Sequence, residues 1–132
     1  MKRWLFGLIM LSLLSMCIIA CAGNDNANAS GSTSGGSNEV HTQGPRFAQS
    51  SITIKKGSML TLIDDDSTFH IITNGSWVNG SPKSAHETGA PTVNNVQLSN
   101  NGSMQIGPFN TAGTYHLYCT IHQNMNLTVQ VQ

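Results

Sequence analysis

Residues 113–125 read GTYHLYCTIHQNM, a segment that combines a β-strand pattern with a run of soft metal-binding side chains. Side chains alternate between the two faces of a strand, so Tyr115, Leu117 and Cys119 share one face. If Leu117 faces the core, Cys119 lies at the inner end of this strand. His116 then points away from the thiol, and we interpret it as a surface histidine and not as a metal ligand.

The end of the segment has the spacing Cys-x2-His-x2-Met, formed by Cys119, His122 and Met125. A loop of this size can turn three side chains toward one point. Thiolate, imidazole and thioether together favour copper, because soft sulfur ligands select Cu(I) and imidazole also suits copper. Structural zinc sites usually contain more than one cysteine. The loop therefore predicts a copper site.

A fourth ligand must come from elsewhere in the chain, and the candidates are His41, His70 and His86. His70 opens the predicted strand 70–73, so a rigid element would hold it. His86 lies in an irregular segment, and His41 lies near the N-terminal linker. We take His70 as the ligand and keep His86 as the reserve.

The N-terminus has the pattern of an export signal. Lys2 and Arg3 precede an apolar run that ends at Ala20, which is typical of a secretory signal peptide. A permanent membrane helix is the alternative, although the run is at the lower length limit for spanning. Residues 18–21, IIAC, resemble the lipobox of bacterial lipoproteins. That resemblance implies cleavage before Cys21 and lipidation of its thiol; an ordinary signal peptide cut nearby is the other interpretation.

These assignments account for two of the three cysteines, since Cys17 would be discarded and Cys21 lipidated. Cys119 is then an unpaired cysteine in an oxidising compartment, where it needs a role. Residues 22–38 contain no large apolar side chain and predict a flexible tether. We expect a signal peptide at 1–20, a lipidated tether at 21–38 and a copper domain at 39–132. The domain would be anchored in the cell envelope, on the outer face of the cytoplasmic membrane, in the periplasm or at the outer membrane.

The part after residue 38 shows short alternating runs and no helical periodicity, which favours an all-β Greek-key β-sandwich of about seven or eight strands. We read Asn74-Gly75 as a turn, 76–92 as a long loop and Asn101-Gly102 as a hairpin turn. The predicted strands open near Val40 and continue at 51–55, 59–63, 69–73, 93–98, 103–106, 114–119 and 125–131.

The charge pattern argues against one class of partner. The formal net charge is zero and the chain has no basic cluster, so we expect no nucleic-acid binding. We interpret the acidic run at residues 64–66 as a solvated turn, with steering of a basic partner as the alternative.

The segment at 114–125, together with His70 upstream, resembles the copper loop of the cupredoxins, the small type 1 blue copper proteins; the spacing is most similar to amicyanin. The resemblance implies a trigonal set of His70, Cys119 and His122 with Met125 as a weak axial ligand. It also implies one copper per domain, single-electron transfer and no enzymatic activity. One position departs from the pattern, since Ile71 stands where many members carry an asparagine after the first histidine.

The family further implies that electrons leave through the exposed edge of His122, with Ile121 beside it. Phe69 and Trp77 are candidates for the rim of this patch, although we favour core packing for Phe69. We expect transient redox protein partners, a lipid-mediated membrane contact and a monomer. Weak, small interfaces suit such encounters.

Three alternatives remain open. A copper carrier or storage protein would use the same ligands to bind Cu(I) without redox cycling. An atypical cupredoxin site would use His86 or Glu87 as a ligand. A cysteine hydrolase would need a histidine base beside a nucleophilic cysteine, which a cysteine at the buried end of a strand disfavours.

Overall fold

The computed structural model describes residues 37–132, which form ten β-strands. The prediction of an all-β sandwich is confirmed, although the strand count exceeds the expected seven or eight. The strands are β1 Glu39–Gln43, β2 Arg46–Phe47, β3 Ser51–Ile54, β4 Leu60–Asp64, β5 His70–Val78, β6 Ser81–Ser84, β7 Val96–Leu98, β8 Ser103–Ile106, β9 Gly113–Cys119 and β10 Asn126–Val131.

The strands are arranged in two sheets. One has four strands in the order β2-β1-β4-β8, and the other has the order β3-β10-β9-β5-β6, with β7 also paired to β5. The β1–β4 and β3–β10 pairs are parallel, and the other pairs are antiparallel. The neighbours β5 and β9 matter most for function, because His70 lies at the start of β5 and Cys119 at the end of β9.

Alternate residues of the strands build the core, as the period of two requires. Leu60 and Leu62 of the first sheet and Leu127 and Val129 of the second are fully buried and belong to one hydrophobic cluster. Cys119 belongs to the same cluster and has no exposed surface. Strand alternation predicted that Cys119 points inward, and the structure confirms this orientation.

The predicted loop at 76–92 is wrong in its first half. Asn74 and Gly75 form no turn, because β5 runs through them to Val78 and a second strand, β6, returns along it. The reason is steric. Gly75 has a φ of 123°, and a Cβ added there would lie 2.1 Å from the main-chain oxygen of Lys83. Glycine at this position permits the close approach of two backbones. In the sequence, the same glycine after an asparagine cannot be distinguished from a turn signal.

The predicted hairpin around residues 101 and 102 is also wrong, since β7 pairs with β5 and β8 pairs with β4 in the other sheet. The turn is bound to the end of β4. The Asp64 carboxylate accepts the main-chain N–H of Asn101 at 3.0 Å, and the Asp64 N–H donates to the Gly102 carbonyl at 2.9 Å. Asp64 is therefore a buried structural acceptor, while Asp65 and Asp66 are exposed as predicted for a solvated turn.

The described residues include no helix that is long and apolar enough to cross a membrane. The predictions of a signal peptide, of lipidation at Cys21 and of most of the tether fall before residue 37 and lie outside the described residues.

Candidate metal centre

His70, Cys119 and His122 come together at one end of the sandwich and each offers a ligand atom to one point. The imidazole nitrogens and the thiol sulfur lie within 4.8 Å of one another. The Nδ1 atoms of the two histidines are 3.2 Å apart, and the Cys119 Sγ is 3.5 Å from Nδ1 of His122. His70 and Cys119 are fully buried, and His122 is partly exposed.

Pairing of β5 with β9 explains why the first two of these residues meet. Ile72 lies opposite Cys119 in the antiparallel register, so His70, two residues before Ile72, extends past the end of β9. The chain from Cys119 then turns back into β10, and this brings His122 over the same point. The loop is closed by main-chain hydrogen bonds, because Cys119 N donates to Met125 O at 3.0 Å and Met125 N donates to His122 O at 3.2 Å.

The tight return after His122 requires an unusual backbone conformation. Asn124 has a φ of 60°, in the left-handed region that asparagine tolerates better than most residues. Met125 follows directly, and its side chain is buried in the core cluster together with Cys119. The assignment of Met125 as an axial ligand stays a prediction.

The donor set fits a soft metal ion. A neutral imidazole carries a lone pair on one of its nitrogens. When two such nitrogens and a sulfur converge, a cation between them stabilises the arrangement. Two imidazoles and a thiolate form the His2Cys set of copper electron-transfer centres. Burial, followed by the electrostatic interaction with the neighbouring His122, lowers the pKa of His70. His70 therefore stays neutral at neutral pH, with a lone pair available for a metal.

The second ring nitrogen of His70, Nε2, lacks the hydrogen bond that usually orients a metal-binding histidine. Among the described residues nothing hydrogen-bonds to the buried His70 Nε2. Metal-binding histidines usually donate this second N–H to a carboxylate, a carbonyl or water. The orientation of His70 therefore depends on packing and on its place in β5.

The other histidines and Glu87 lie outside this group. His41 Nδ1 contacts the Asp65 carboxylate at 2.8 Å, and His116 Nδ1 contacts the Glu87 carboxylate at 2.7 Å. His86 is exposed beside an open groove. Within residues 37–132, the cluster of His70, Cys119 and His122 is the one group of three or more such side chains with metal-binding spacing. The arrangement gives no support to an atypical site with His86 or Glu87, and it agrees with His116 as a surface histidine.

Two large apolar side chains next to the ligands are exposed. Ile121 is 48% exposed and precedes His122, and Phe69 is 43% exposed and precedes His70. The preference for core packing of Phe69 is wrong. The cause is strand alternation, since the adjacent His70 points inward and Phe69 therefore points out.

Sequence reasoning missed the hydrogen bonds of Trp77 to the segment that carries Cys119. The Trp77 indole Nε1–H donates to the Cys119 carbonyl at 2.8 Å, and the Trp77 main-chain N–H donates to the Asn126 side-chain oxygen at 2.7 Å. The sequence suggested Trp77 only as a rim residue. No pattern in the chain could show these contacts, because the partners are 42 and 49 residues apart.

Comparisons with known proteins agree with this geometry. Residues 35–132 match the sequence model of the copper binding proteins of the plastocyanin/azurin family. A search of curated protein sequences finds no relative.

Solved structures show the same fold at low sequence identity. An oxidised proline-to-glycine mutant of amicyanin is 18% identical, with a TM-score of 0.55 over 77% of this chain and 88% of that one. A purple cupredoxin from Nitrosopumilus maritimus is 22% identical, with a TM-score of 0.53 over 71% of this chain and 98% of that one. Amicyanin from Paracoccus versutus is 18% identical, with a TM-score of 0.53 over 71% of this chain and 79% of that one.

Proposed function

Because this chain belongs to the plastocyanin/azurin family of copper-binding proteins, we propose that it is a membrane-tethered type 1 copper protein that carries single electrons between redox proteins outside the cytoplasm. The observation that carries the proposal is the convergence of three ligand atoms, two imidazole nitrogens and one thiol sulfur, within 4.8 Å. Copper is the cofactor that the family and this donor set share.

In this proposal His70, Cys119 and His122 would hold the metal, with Met125 as a weaker fourth ligand. Bound copper supplies a one-electron Cu(II)/Cu(I) couple. The protein contributes a nearly fixed ligand geometry, because two of the ligands are buried at the ends of adjacent strands. A fixed geometry favours fast electron transfer since little rearrangement accompanies each step.

The proposed exit for electrons is the partly exposed edge of His122. Exposed Ile121 and Phe69 are next to ligands in the sequence and supply apolar contact area there. Small apolar contacts suit transient redox encounters, which bury little surface and dissociate quickly.

The proposed location depends on the N-terminal pattern. A signal peptide at 1–20 and a lipid on Cys21 would anchor the domain through the tether at 21–38. Stable anchoring needs more than one acyl chain, and the lipoprotein pattern implies a diacylglyceryl group on the thiol.

The proposal is tested by adding Cu(II) to the full chain in detergent and recording the visible spectrum and a voltammogram. We expect a strong thiolate-to-Cu(II) absorption band and a reversible one-electron wave. Cys119→Ala should abolish the band. The matched control is His86→Ala, which removes an exposed histidine outside the cluster and should retain the band.

Two results would contradict the proposal. A band that persists in Cys119→Ala would remove Cys119 from the ligand set. A colourless wild-type chain that binds only Cu(I) would replace electron transfer with copper carriage or storage.

A further inference from the structure

We propose that Trp77 is a positioning residue that holds Cys119 and the loop after it in the geometry needed for the metal. The expected effect of Trp77 on the reduction potential rests on the proposed function. The expected effect on the order of the loop concerns the copper-free protein and does not. The starting observation is that the indole Nε1–H of Trp77 donates a 2.8 Å hydrogen bond to the main-chain carbonyl of the ligand Cys119.

Trp77 is also bound to the other end of the same loop. Its main-chain N–H donates to the Asn126 Oδ1 at 2.7 Å, and Asn126 Nδ2 donates to its carbonyl at 3.1 Å. Asn126 directly follows Met125. One residue of the β5–β6 hairpin therefore contacts the first residue of the loop and the residue just after its end.

A further hydrogen bond reinforces the contact between hairpin and loop. Gln123 lies between His122 and Asn124, and its Nε2 donates to the Gly80 carbonyl in the turn of the hairpin at 3.3 Å. The loop between Cys119 and Asn126 is thus attached to the hairpin at its first residue, in its middle and at the residue that follows it.

The indole itself is held in place. Its ring meets the Tyr118 ring edge to face, with centroids 6.3 Å apart and planes at 89°. The Tyr118 hydroxyl makes a separate hydrogen bond between the same hairpin and strand, 2.9 Å from the Ser84 hydroxyl in β6, in which the indole takes no part. Neither aromatic residue belongs to the hydrophobic core cluster, so the pair forms a separate contact between hairpin and β9. Removal of the indole N–H leaves the core cluster unchanged.

Two consequences follow from these contacts. A hydrogen bond at a loop end raises the free energy of local opening, so the loop stays ordered in the absence of the metal. The indole also presents the positive end of its N–H dipole to Cys119, which favours the reduced, more negatively charged state of the centre. Hydrogen bonding around the cysteine sulfur tunes the potential of such centres, and we expect the bond to the Cys119 carbonyl to act in the same sense from the backbone.

The test compares Trp77→Phe with Ser84→Ala in the full chain. The first change removes the hydrogen bond to the ligand. The matched control removes a hydrogen bond between the same hairpin and the same strand that does not reach a ligand. Replacing the indole by the benzothiophene analogue of tryptophan, in a Trp4→Phe background, removes the N–H while keeping the ring shape.

Amide hydrogen exchange of the copper-free protein is the first readout. We expect residues 119–126 to exchange several-fold faster in Trp77→Phe and in the analogue than in Ser84→Ala. The reduction potential of the copper-loaded protein is the second readout. The potential should fall in Trp77→Phe and in the analogue but not in Ser84→Ala. We expect a fall of less than about 59 mV, which corresponds to a tenfold change in the relative affinity for the two oxidation states of copper.

Equal exchange rates and equal potentials in Trp77→Phe and Ser84→Ala would overturn the inference and leave Trp77 as ordinary packing. Failure of the proposed function gives a different pattern. The wild type would then lack coloured copper binding, while the exchange comparison in the copper-free protein would still support or overturn the role of Trp77.

Discussion

The main-chain N–H of Thr120 donates a 2.8 Å hydrogen bond to the main-chain carbonyl of Ile71. These residues directly follow the proposed ligands Cys119 and His70, so the bond links the two segments that carry them. In the sequence, Ile71 stands where many members of the family carry an asparagine after the first histidine. The structure links the segments through the backbone, which does not depend on the side chain at 71.

Replacement of Thr120 tests this link. Thr120→Pro removes the donor and leaves the carbonyl of Ile71 unpaired, so we expect a loss of about 1–3 kcal/mol in the unfolding free energy of the copper-free protein. Copper affinity should fall with it. Thr120→Ala keeps the N–H and should change neither quantity appreciably. Equal losses in the two variants would show that the hydroxyl, and not the backbone bond, matters at this position.

Met125→Leu tests the axial ligand. Leucine keeps the site dry and of similar volume but removes a lone pair that stabilises Cu(II), so copper should remain bound and the potential should rise. Voltammetry and the visible spectrum measure both effects. Met104→Leu is the control, since Met104 packs against the core from β8. An unchanged potential in Met125→Leu would remove Met125 from the ligand set.

Gly75→Ala tests the close approach of β5 and β6. The new Cβ would lie 2.1 Å from the Lys83 main-chain oxygen at a φ of 123°. Backbone cannot move aside as a flexible side chain does, and we expect a loss of about 2–4 kcal/mol in unfolding free energy.

The control for that change is Gly57→Ala. Gly57 has a φ of 83° and nothing within 4 Å of the added Cβ, so only backbone strain of about 1–2 kcal/mol is expected there. Denaturant unfolding of the two variants separates the clash from the strain. Equal losses would mean that β6 does not pack as closely as described.

Cys21→Ala tests the membrane anchor. Without the thiol that receives the lipid, the protein should appear in the soluble fraction after cell lysis, whereas Cys17→Ala should stay with the membranes. Fractionation followed by immunoblotting measures both. A membrane-bound Cys21→Ala variant would favour an uncleaved transmembrane helix.

Local patterns in the sequence were sufficient for the fold class and for two members of the cluster, Cys119 and His122. Alternation in residues 113–119 predicted the strand and the inward orientation of Cys119, because strand periodicity is a property of neighbouring residues. The Cys-x2-His-x2-Met spacing indicated His122 for the same reason, since a short loop keeps its side chains close. The choice of His70 came from its place at the start of a strand, and the structure brings it into the cluster.

Segments with the composition of a turn were predicted poorly where their contacts, and not their composition, decide the conformation. Asn74-Gly75 has the composition of a turn, yet the close approach of Lys83 decides its role as strand. Asn101-Gly102 also has a hairpin composition, yet the buried Asp64 carboxylate attaches this turn to the other sheet. The Asp64 partner lies 37 residues from Asn101, too far for a local pattern to contain it. Lys83 is close to Gly75 in the sequence, and only the pairing of β5 with β6 shows its approach.

By itself the sequence determined an all-β domain with a thiol, an imidazole and a thioether in one short loop, because those features follow from residue type and short spacing. Only the tertiary structure decided how the ligand segments are held. Pairing of β5 with β9 brings His70 to Cys119, and the Ile71 carbonyl accepts the Thr120 amide. The indole of Trp77 reaches the Cys119 carbonyl across 42 residues of chain. These contacts depend on sheet register, which packing of the whole domain sets.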